Sequence, residues 1–456
     1  MDGISNGYKA LDRTDLKRAY RFFIEASKIE KSDEMRYNAL VGLSVTYREI
    51  GELDKALDTS KKAYEIFPDG IENLYNMGNF YEEMGNHVMA IQNYDKVTSL
   101  DPDNINANIN RGVAHYNLEN YEQAVRDFKN VLKIDPLCNI ALTDIGICYL
   151  ELDRYEDSID YFDLALEEEP ENIHALCGKG LALFYMDRYD ESIICFNASI
   201  SINEDFYIAY YYKGHILRKL ELLQEAEETI NQALEIREKY PLAWYELGEI
   251  YRSTDRIREA IHAYDKANRY NQSTFEKALY EKGRALLDKN RDFNGAILAF
   301  KNILKDNPYI SDVWYQMGLA LSNIKGGEDR AISALENSIH LNPDNVEAAN
   351  LLGKLLHSKG DIEKAYSLLK RSMENNPSSE TGTLLSVISY EMRNHKESIV
   401  WAEDTLSLDP SNYKVLLVMG RAYGKTGMKE EYKQCLRKYL HYNPEDEKIE
   451  KELESI

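Results

Sequence analysis

The sequence is poor in cysteine. Its five cysteines, Cys138, Cys148, Cys177, Cys195 and Cys435, are odd in number and never spaced as CxxC, which argues against a disulfide framework and fits a reduced, cytoplasmic chain. Long apolar runs are missing too. None approaches the ~18 residues of a membrane-spanning helix, and Met1 to Ala10 lack the basic start and apolar stretch of a secretory signal. Positive charge is in deficit: 55 Lys plus Arg against 78 Asp plus Glu leave a net charge of −23. Such a polyanion repels nucleic-acid phosphates and anionic membrane surfaces, which excludes both as bulk partners. Prolines number only 10 and tryptophans 3. Tyrosine is plentiful, at 34, and 44% of the residues are hydrophobic, enough to bury a core and to exclude wholesale disorder. Length alone would suggest roughly three domains of about 150 residues, but the periodicity of the chain argues otherwise.

Glycines stand at 78, 112, 146, 180, 214 and 248, five successive intervals of 34 residues, and the series continues at Gly283, Gly318, Gly353 and Gly420. Nine of the ten prolines keep the same beat, and the tenth, Pro241, opens a unit. In the unit Ile71 to Asn104, Leu74, Met77, Gly78 and Tyr81 form the apolar face of one helix, and Ala90, Tyr94 and Val97 the matching face of a second. Gly85-Asn86 is the turn between them, Pro102 ends the second helix, and Asp101 with Asp103-Asn104 cap the next. Gly78 and Ala90, both small, let the two backbones approach. The small residue on the second helix recurs as Ala56, Ala124, Ser158, Ser192, Ala226, Ala260, Ala296, Ala331, Ala365 and Ser398.

These residues resemble the tetratricopeptide repeat, a 34-residue helix-turn-helix unit. The resemblance covers residues 37–446 as twelve units, starting near 37, 71, 105, 139, 173, 207, 241, 276, 311, 346, 380 and 413. It implies an all-α fold, a right-handed α-solenoid or superhelix of stacked antiparallel helix pairs, continuous over 37–446. Residues 1–36 read as a degenerate N-terminal repeat or capping helices, with Ala19, Phe23 and Ala26 at second-helix spacing and Tyr20 or Phe22 left exposed. Residues 447–456 read as a capping helix with an apolar stripe of Ile449, Leu453 and Ile456. Ser44 and Val387 replace the packing glycine. The register slips by one residue near Gln272-Ser273, within Lys289 to Asn294 and at Gly326-Gly327, and loses one near Asn394.

No segment remains for a catalytic domain, so the chain reads as a non-enzyme without cofactor or metal. Gly420 to Thr426 spells GRAYGKT, one residue short of a phosphate-binding loop and placed on a repeat helix rather than after a strand. Asp101 to Asn104 and Asn342 to Asn345 lack the bidentate Glu of a calcium loop. His115 takes the place of core tyrosines, and Cys148 and Cys195 read as small buried hydrophobes.

A site must then lie on the first helices, where positions 2, 5, 9 and 12 flank the packing stripe. Position 5 reads Val41, Tyr75, Ile109, Thr143, Cys177, Tyr211, Tyr245, Tyr280, Tyr315, Asn350, Leu384 and Leu417. Four successive units carry tyrosine, and His215, Arg218, Lys219, Arg252, Lys277 and Arg284 gather around them. Tyr211, His215, Arg218, Tyr245, Arg252, Lys277, Tyr280, Arg284 and Tyr315 are therefore the expected peptide-binding groove, suited to an acidic segment. Two alternatives stay open: the tyrosines pack only against neighbouring units, and the cations only balance Glu246, Glu249 and Glu281. Asn76, Asn79 and Asn110 form a secondary candidate, a short version of the asparagine ladder of protein-glycosylating transferases. The chaperone-tail carboxylate clamp is matched by no window. The expected function is a protein-protein interaction scaffold holding an extended or helical peptide of another protein, with no nucleic-acid or membrane partner. The alternatives are a self-assembling structural protein, associating through its N-terminal end, and a regulatory subunit of a separate protein-modifying enzyme.

Overall fold

A computed structural model of the chain describes residues 2–28, 32–271, 276–288 and 291–456. Among the described residues there is helix and no strand. Contacts divide the chain into two compact units, 1–236 and 237–456. The division falls beside Glu238, one of the places, like Glu204, where no proline closes a unit.

The first unit holds seven helix pairs. They are α1 (Asp2–Asp12) with α2 (Leu16–Lys28), α3 (Asp33–Glu49) with α4 (Leu53–Ile66), and α5 (Ile71–Glu83) with α6 (His87–Leu100). There follow α7 (Ile105–Asn117) with α8 (Tyr121–Ile134), and α9 (Asn139–Glu151) with α10 (Tyr155–Glu168). Last come α11 (Ile173–Tyr185) with α12 (Tyr189–Ile202), and α13 (Tyr207–Lys219) with α14 (Leu223–Ile236). The second unit holds six pairs and a closing helix. They are α15 (Pro241–Ser253) with α16 (Ile257–Tyr270), α17 (Glu276–Asp288) with α18 (Phe293–Asp306), and α19 (Ser311–Ser322) with α20 (Glu328–Leu341). Next are α21 (Val346–Lys359) with α22 (Ile362–Asn375), α23 (Ser379–Glu391) with α24 (His395–Leu408), α25 (Tyr413–Thr426) with α26 (Lys429–Tyr442), and α27 (Glu447–Ser455). Within each unit every helix packs on its pair partner and on the next helix in the chain. First helices also touch the first helices of neighbouring pairs, as α17 touches α19 and α9 touches α11.

Each pair closes on the small residue at position 8. A Cβ added to Gly248 would lie 2.5 Å from the Tyr264 ring, and one added to Gly112 2.6 Å from Phe128. Position 20 presses in from the other side: the Ser158 hydroxyl donates to the Gly146 carbonyl at 2.7 Å, and the Ser192 hydroxyl to that of Gly180 at 2.6 Å. Asn104, Asn172 and Asn345 accept from the N–H three residues on, so the calcium-like segments are helix caps.

The turn inside each pair needs one left-handed residue. Glycine fills it at Gly51, Gly85, Gly360 and Gly427, but Glu119, Asp153, Asp187, Glu221 and Asp255 adopt φ between 55° and 62° at the same place. A left-handed non-glycine is strained by the approach of Cβ to the carbonyl oxygen. Glu221→Gly is expected to raise stability by about 0.5–1 kcal/mol, relief of strain outweighing the greater freedom of the unfolded glycine. A urea midpoint unchanged or lowered would contradict this.

Two expectations about register need correction. The first pair is complete: Gly7 lies against Phe23, and Thr14 takes the left-handed turn. Tyr20 and Phe22 are half-buried beside Phe23 and Leu43 rather than exposed. Near the C-terminus the packing residue is Ser386, fully buried, not the half-buried Val387. Ser398 donates to the Ser386 carbonyl at 2.8 Å, the same contact that Ser158 and Ser192 make. The residue lost from the register therefore precedes α23, in the short link between the caps Asn376 and Ser378. It moves Thr383, not Leu384, to position 5. At the insertion in 326–327, Gly326 takes the left-handed turn and Gly327 caps α20. The shift expected near Gln272 and Ser273 lies outside the described residues, as do Lys289 and Asn290. In the second unit, Ile449 is buried against Leu416, Leu436 and Tyr439, with Leu453 and Ile456 alongside.

Candidate functional site

Position 5 of a first helix leans on the large residue at the centre of its own second helix. Tyr75 lies 6.0 Å from Tyr94, Tyr245 6.0 Å from Tyr264 and Tyr280 6.2 Å from Phe300, ring centre to ring centre. Position 6 reaches back to the preceding pair: Tyr212 stacks on Phe196 at 5.8 Å. One edge of the expected contact stripe is thus committed to packing.

In the second unit, Tyr245 and Arg252 come from α15, Lys277, Tyr280 and Arg284 from α17, and Tyr315 from α19. Tyr245 is only 8% exposed, whereas Tyr280 and Tyr315 are half-buried. The Lys277 ammonium stands 4.7 Å from the centre of the Tyr245 ring, and the Arg284 guanidinium 5.9 Å from that of Tyr280. The cations are also paired with carboxylates. Arg252 donates to Glu249 at 2.8 Å and lies 3.9 Å from Glu281, which is 3.7 Å from Arg284. Glu249 in addition accepts the Tyr264 hydroxyl at 2.6 Å. The hydrogen bond to Glu249 pushes the Arg252 pKa up, and burial, with the neighbouring Glu249 charge, raises that of Glu281. This face carries alternating, largely compensated charge rather than a bare basic cluster.

Tyr211, His215 and Arg218 belong to α13 of the first unit. Tyr211 is 9% exposed, with its ring 4.9 Å from Tyr212 and 6.2 Å from His215, which in turn lies 5.3 Å from Phe184. Asn79 and Asn110 form one network with two tyrosines. Asn110 donates to the Tyr75 hydroxyl at 3.0 Å and to Asn79 Oδ1 at 2.9 Å, and Asn79 Oδ1 also accepts the Tyr94 hydroxyl at 2.7 Å. Those amides tie α5, α6 and α7 together. Asn76 is half-buried beside them.

Several polar contacts recur between pairs that spacing along one helix does not mark. Arg111, Lys179 and Lys282 at position 7 pair with Asp95, Asp163 and Asp265 on the preceding second helix, at 2.9, 2.5 and 2.5 Å. Asn172 donates to Asn139 and Thr143, and Asn412 to Ser379 and Thr383 in the same geometry. An aspartate 16 or 17 residues before a basic residue at position 7 is the signal that could have found the ion pairs. Burial pushes the Asp144 carboxyl, on α9, up to about 6.

The segment Gly420 to Thr426 lies inside α25, its glycines against Tyr432, so it forms no phosphate loop. His115 is half-buried, not fully core, with Nε2 3.9 Å from Asp127. Burial pushes the Cys148 and Cys177 thiols up to about 12. Among the described residues no group of three or more His, Cys, Asp and Glu side chains is placed to hold a metal ion, and no helix is long and apolar enough to cross a membrane.

Comparison with known proteins agrees with this architecture. BBSome complex member BBS4 of Bos taurus is 29% identical over 136 residues, 30% of this chain and 25% of that protein. The peroxisomal targeting signal receptor of Kluyveromyces lactis is 23% identical over 189 residues, 41% of this chain and 33% of the receptor. The matches thus span a quarter to a third of the length of these curated relatives. A solved tetratricopeptide repeat protein from Parabacteroides merdae is 22% identical, with a TM-score of 0.47, covering 55% of this chain and 98% of that one. Tetratricopeptide repeat models match residues 72–104, 109–173, 173–206, 207–240, 242–274, 326–387 and 413–446. These stretches make up more than half of the chain, and the chain belongs to the tetratricopeptide repeat family.

Proposed function

We propose that this chain is a non-catalytic protein-interaction scaffold, and that the first-helix face of its second unit holds an extended or helical peptide segment of a partner protein. The observation that carries this reading is the arrangement on α17 and α19. Tyr280 and Tyr315 keep part of their rings open on adjoining first helices, next to Lys277 and Arg284. Tyrosine offers rigid amphipathic area with few rotors to immobilise. The 3.7 Å contact of the partly exposed Arg284 with Glu281 is loose enough for a partner carboxylate to share the guanidinium. Tyr245 and Arg252 serve as the packed border of that face. The relatives are described as a complex member and a signal receptor, roles that rest on binding other proteins.

Crosslinking mass spectrometry from native cells tests the proposal. Partner peptides are expected to crosslink to Lys277 and to the lysines flanking α17 and α19. Crosslinks confined to the second-helix layer, or none above background, would refute it. Binding at this face should also weaken as salt rises well above physiological, since exposed charge pairs are screened first.

A further inference from the structure

We propose that the cleft between the second helices α18 and α20 is a separate docking site, for an acidic partner segment carrying a large apolar side chain. It lies on the layer away from the face assigned above. Both helices pack on α19, leaving between them a cleft of about 600 Å³, within the roughly 300–1,000 Å³ typical of ligand pockets. Leu304 and Leu321 are buried in its floor, and Trp314 and Met317 line it half-exposed. The indole is held in place, because Trp314 Nε1 donates to the Pro308 carbonyl at 2.8 Å.

Its charge sets it apart. Lys301, Lys305 and Arg330 line the cleft, all exposed, and none forms an ion pair among the described residues. The one acid of the lining, Asp329, is paired with Lys359 on α21. Three uncompensated cations around one apolar cleft are unusual in a chain of net charge −23. The next cleft along, between α20 and α22, is balanced, with Asp329, Glu336 and Asp361 against Lys359, Lys364 and Arg371. Unpaired cations are therefore not a by-product of splayed second helices. An apolar side chain would fill the space against Trp314, while flanking carboxylates meet the three cations. A small anion would leave the apolar floor wet, and a nucleic acid would face the repulsion of the whole chain.

The test uses the full chain and a fluorescein-labelled peptide with a central Phe-Leu flanked by glutamates, beside its glutamine counterpart. In a Trp244→Phe/Trp401→Phe background Trp314 is the sole tryptophan and reports occupancy of the cleft. Expected are saturable anisotropy binding, a matching change in Trp314 emission, and at least about tenfold weaker binding by Lys301→Glu/Lys305→Glu/Arg330→Glu and of the glutamine peptide. Tyr280→Ala/Arg284→Ala should leave this binding unchanged, so failure of either site is distinguishable from failure of the other. Equal affinity of wild type and charge-reversed protein, a silent Trp314, or displacement of the peptide by inorganic phosphate alone would overturn the proposal. Should the charge-reversed protein lose helix content, the comparison of glutamate with glutamine peptide on wild type still decides.

Discussion

Replacing Phe162 with alanine is expected to destabilise the first unit by about 3–5 kcal/mol, the range for deleting a fully buried aromatic side chain. The ring has 0% exposure and is shared by two pairs. On one side it lies against Gly146 of its own pair, where a Cβ would sit 2.6 Å from the ring, and on the other against Gly178 of the next pair. Leu142, Ala165 and Ala175 complete its surroundings. Neither glycine has a side chain to fill the hole, so the cavity cannot collapse cheaply. Stability in a repeat array is a sum of unit and neighbour terms, and Phe162 contributes to both. Its loss should lower the urea midpoint and uncouple α9–α10 from α11–α12, seen as a broadened or split transition. A loss below about 1 kcal/mol, as for an ordinary surface substitution, would contradict the packing described.

The second large effect is a gain. Asp144→Asn should raise stability at pH 7 by about 1–3 kcal/mol, since one pKa unit corresponds to about 1.4 kcal/mol. Burial pushes the Asp144 carboxyl up to about 6, against 3.8 ordinarily, with no neighbouring cation opposing the shift. The folded state therefore binds this proton more tightly than the unfolded state does. The stabilisation from the neutral acid is complete below the ordinary carboxylate range and is lost as pH rises through about 6. Asparagine removes that loss, so its advantage should appear at pH 7 and vanish near pH 4. Chemical denaturation of both proteins at the two pH values measures it. An advantage of equal size at both, or none at pH 7, would show that Asp144 is solvated or paired in solution.

The legible part of the fold is the part governed by local constraint. Only glycine fits at Gly78 or Gly248 against a tyrosine ring, and a proline such as Pro102 cannot continue a helix, so glycine every 34 residues and proline in most units mark helix starts at Ile71, Ile105, Asn139, Ile173, Tyr207 and Pro241. Errors arise where one loop changes length. A single residue missing before α23 moves the packing role from Val387 to Ser386. An extra first turn on α3, which starts at Asp33 and runs 17 residues against the usual 13, hides Gly7 as the packing partner of Phe23. The candidate site was legible as a row of tyrosines but not as a surface. Whether Tyr245 packs or is open depends on Tyr264, and whether Arg252 is available depends on Glu249 and Glu281, contacts set by side-chain direction across helices rather than by spacing along one.

The central claim is that Tyr280 and Arg284 on α17 bind a partner segment, and it rests on affinity. Isothermal titration of the crosslinked partner's peptide into wild type and into Tyr280→Ala and Arg284→Ala measures it most directly. Each substitution is predicted to cost about 1–3 kcal/mol, roughly 5- to 150-fold in Kd, with far-ultraviolet circular dichroism unchanged. Unaltered affinity in both variants with helix content intact would contradict the claim, leaving the tyrosines as packing residues alone.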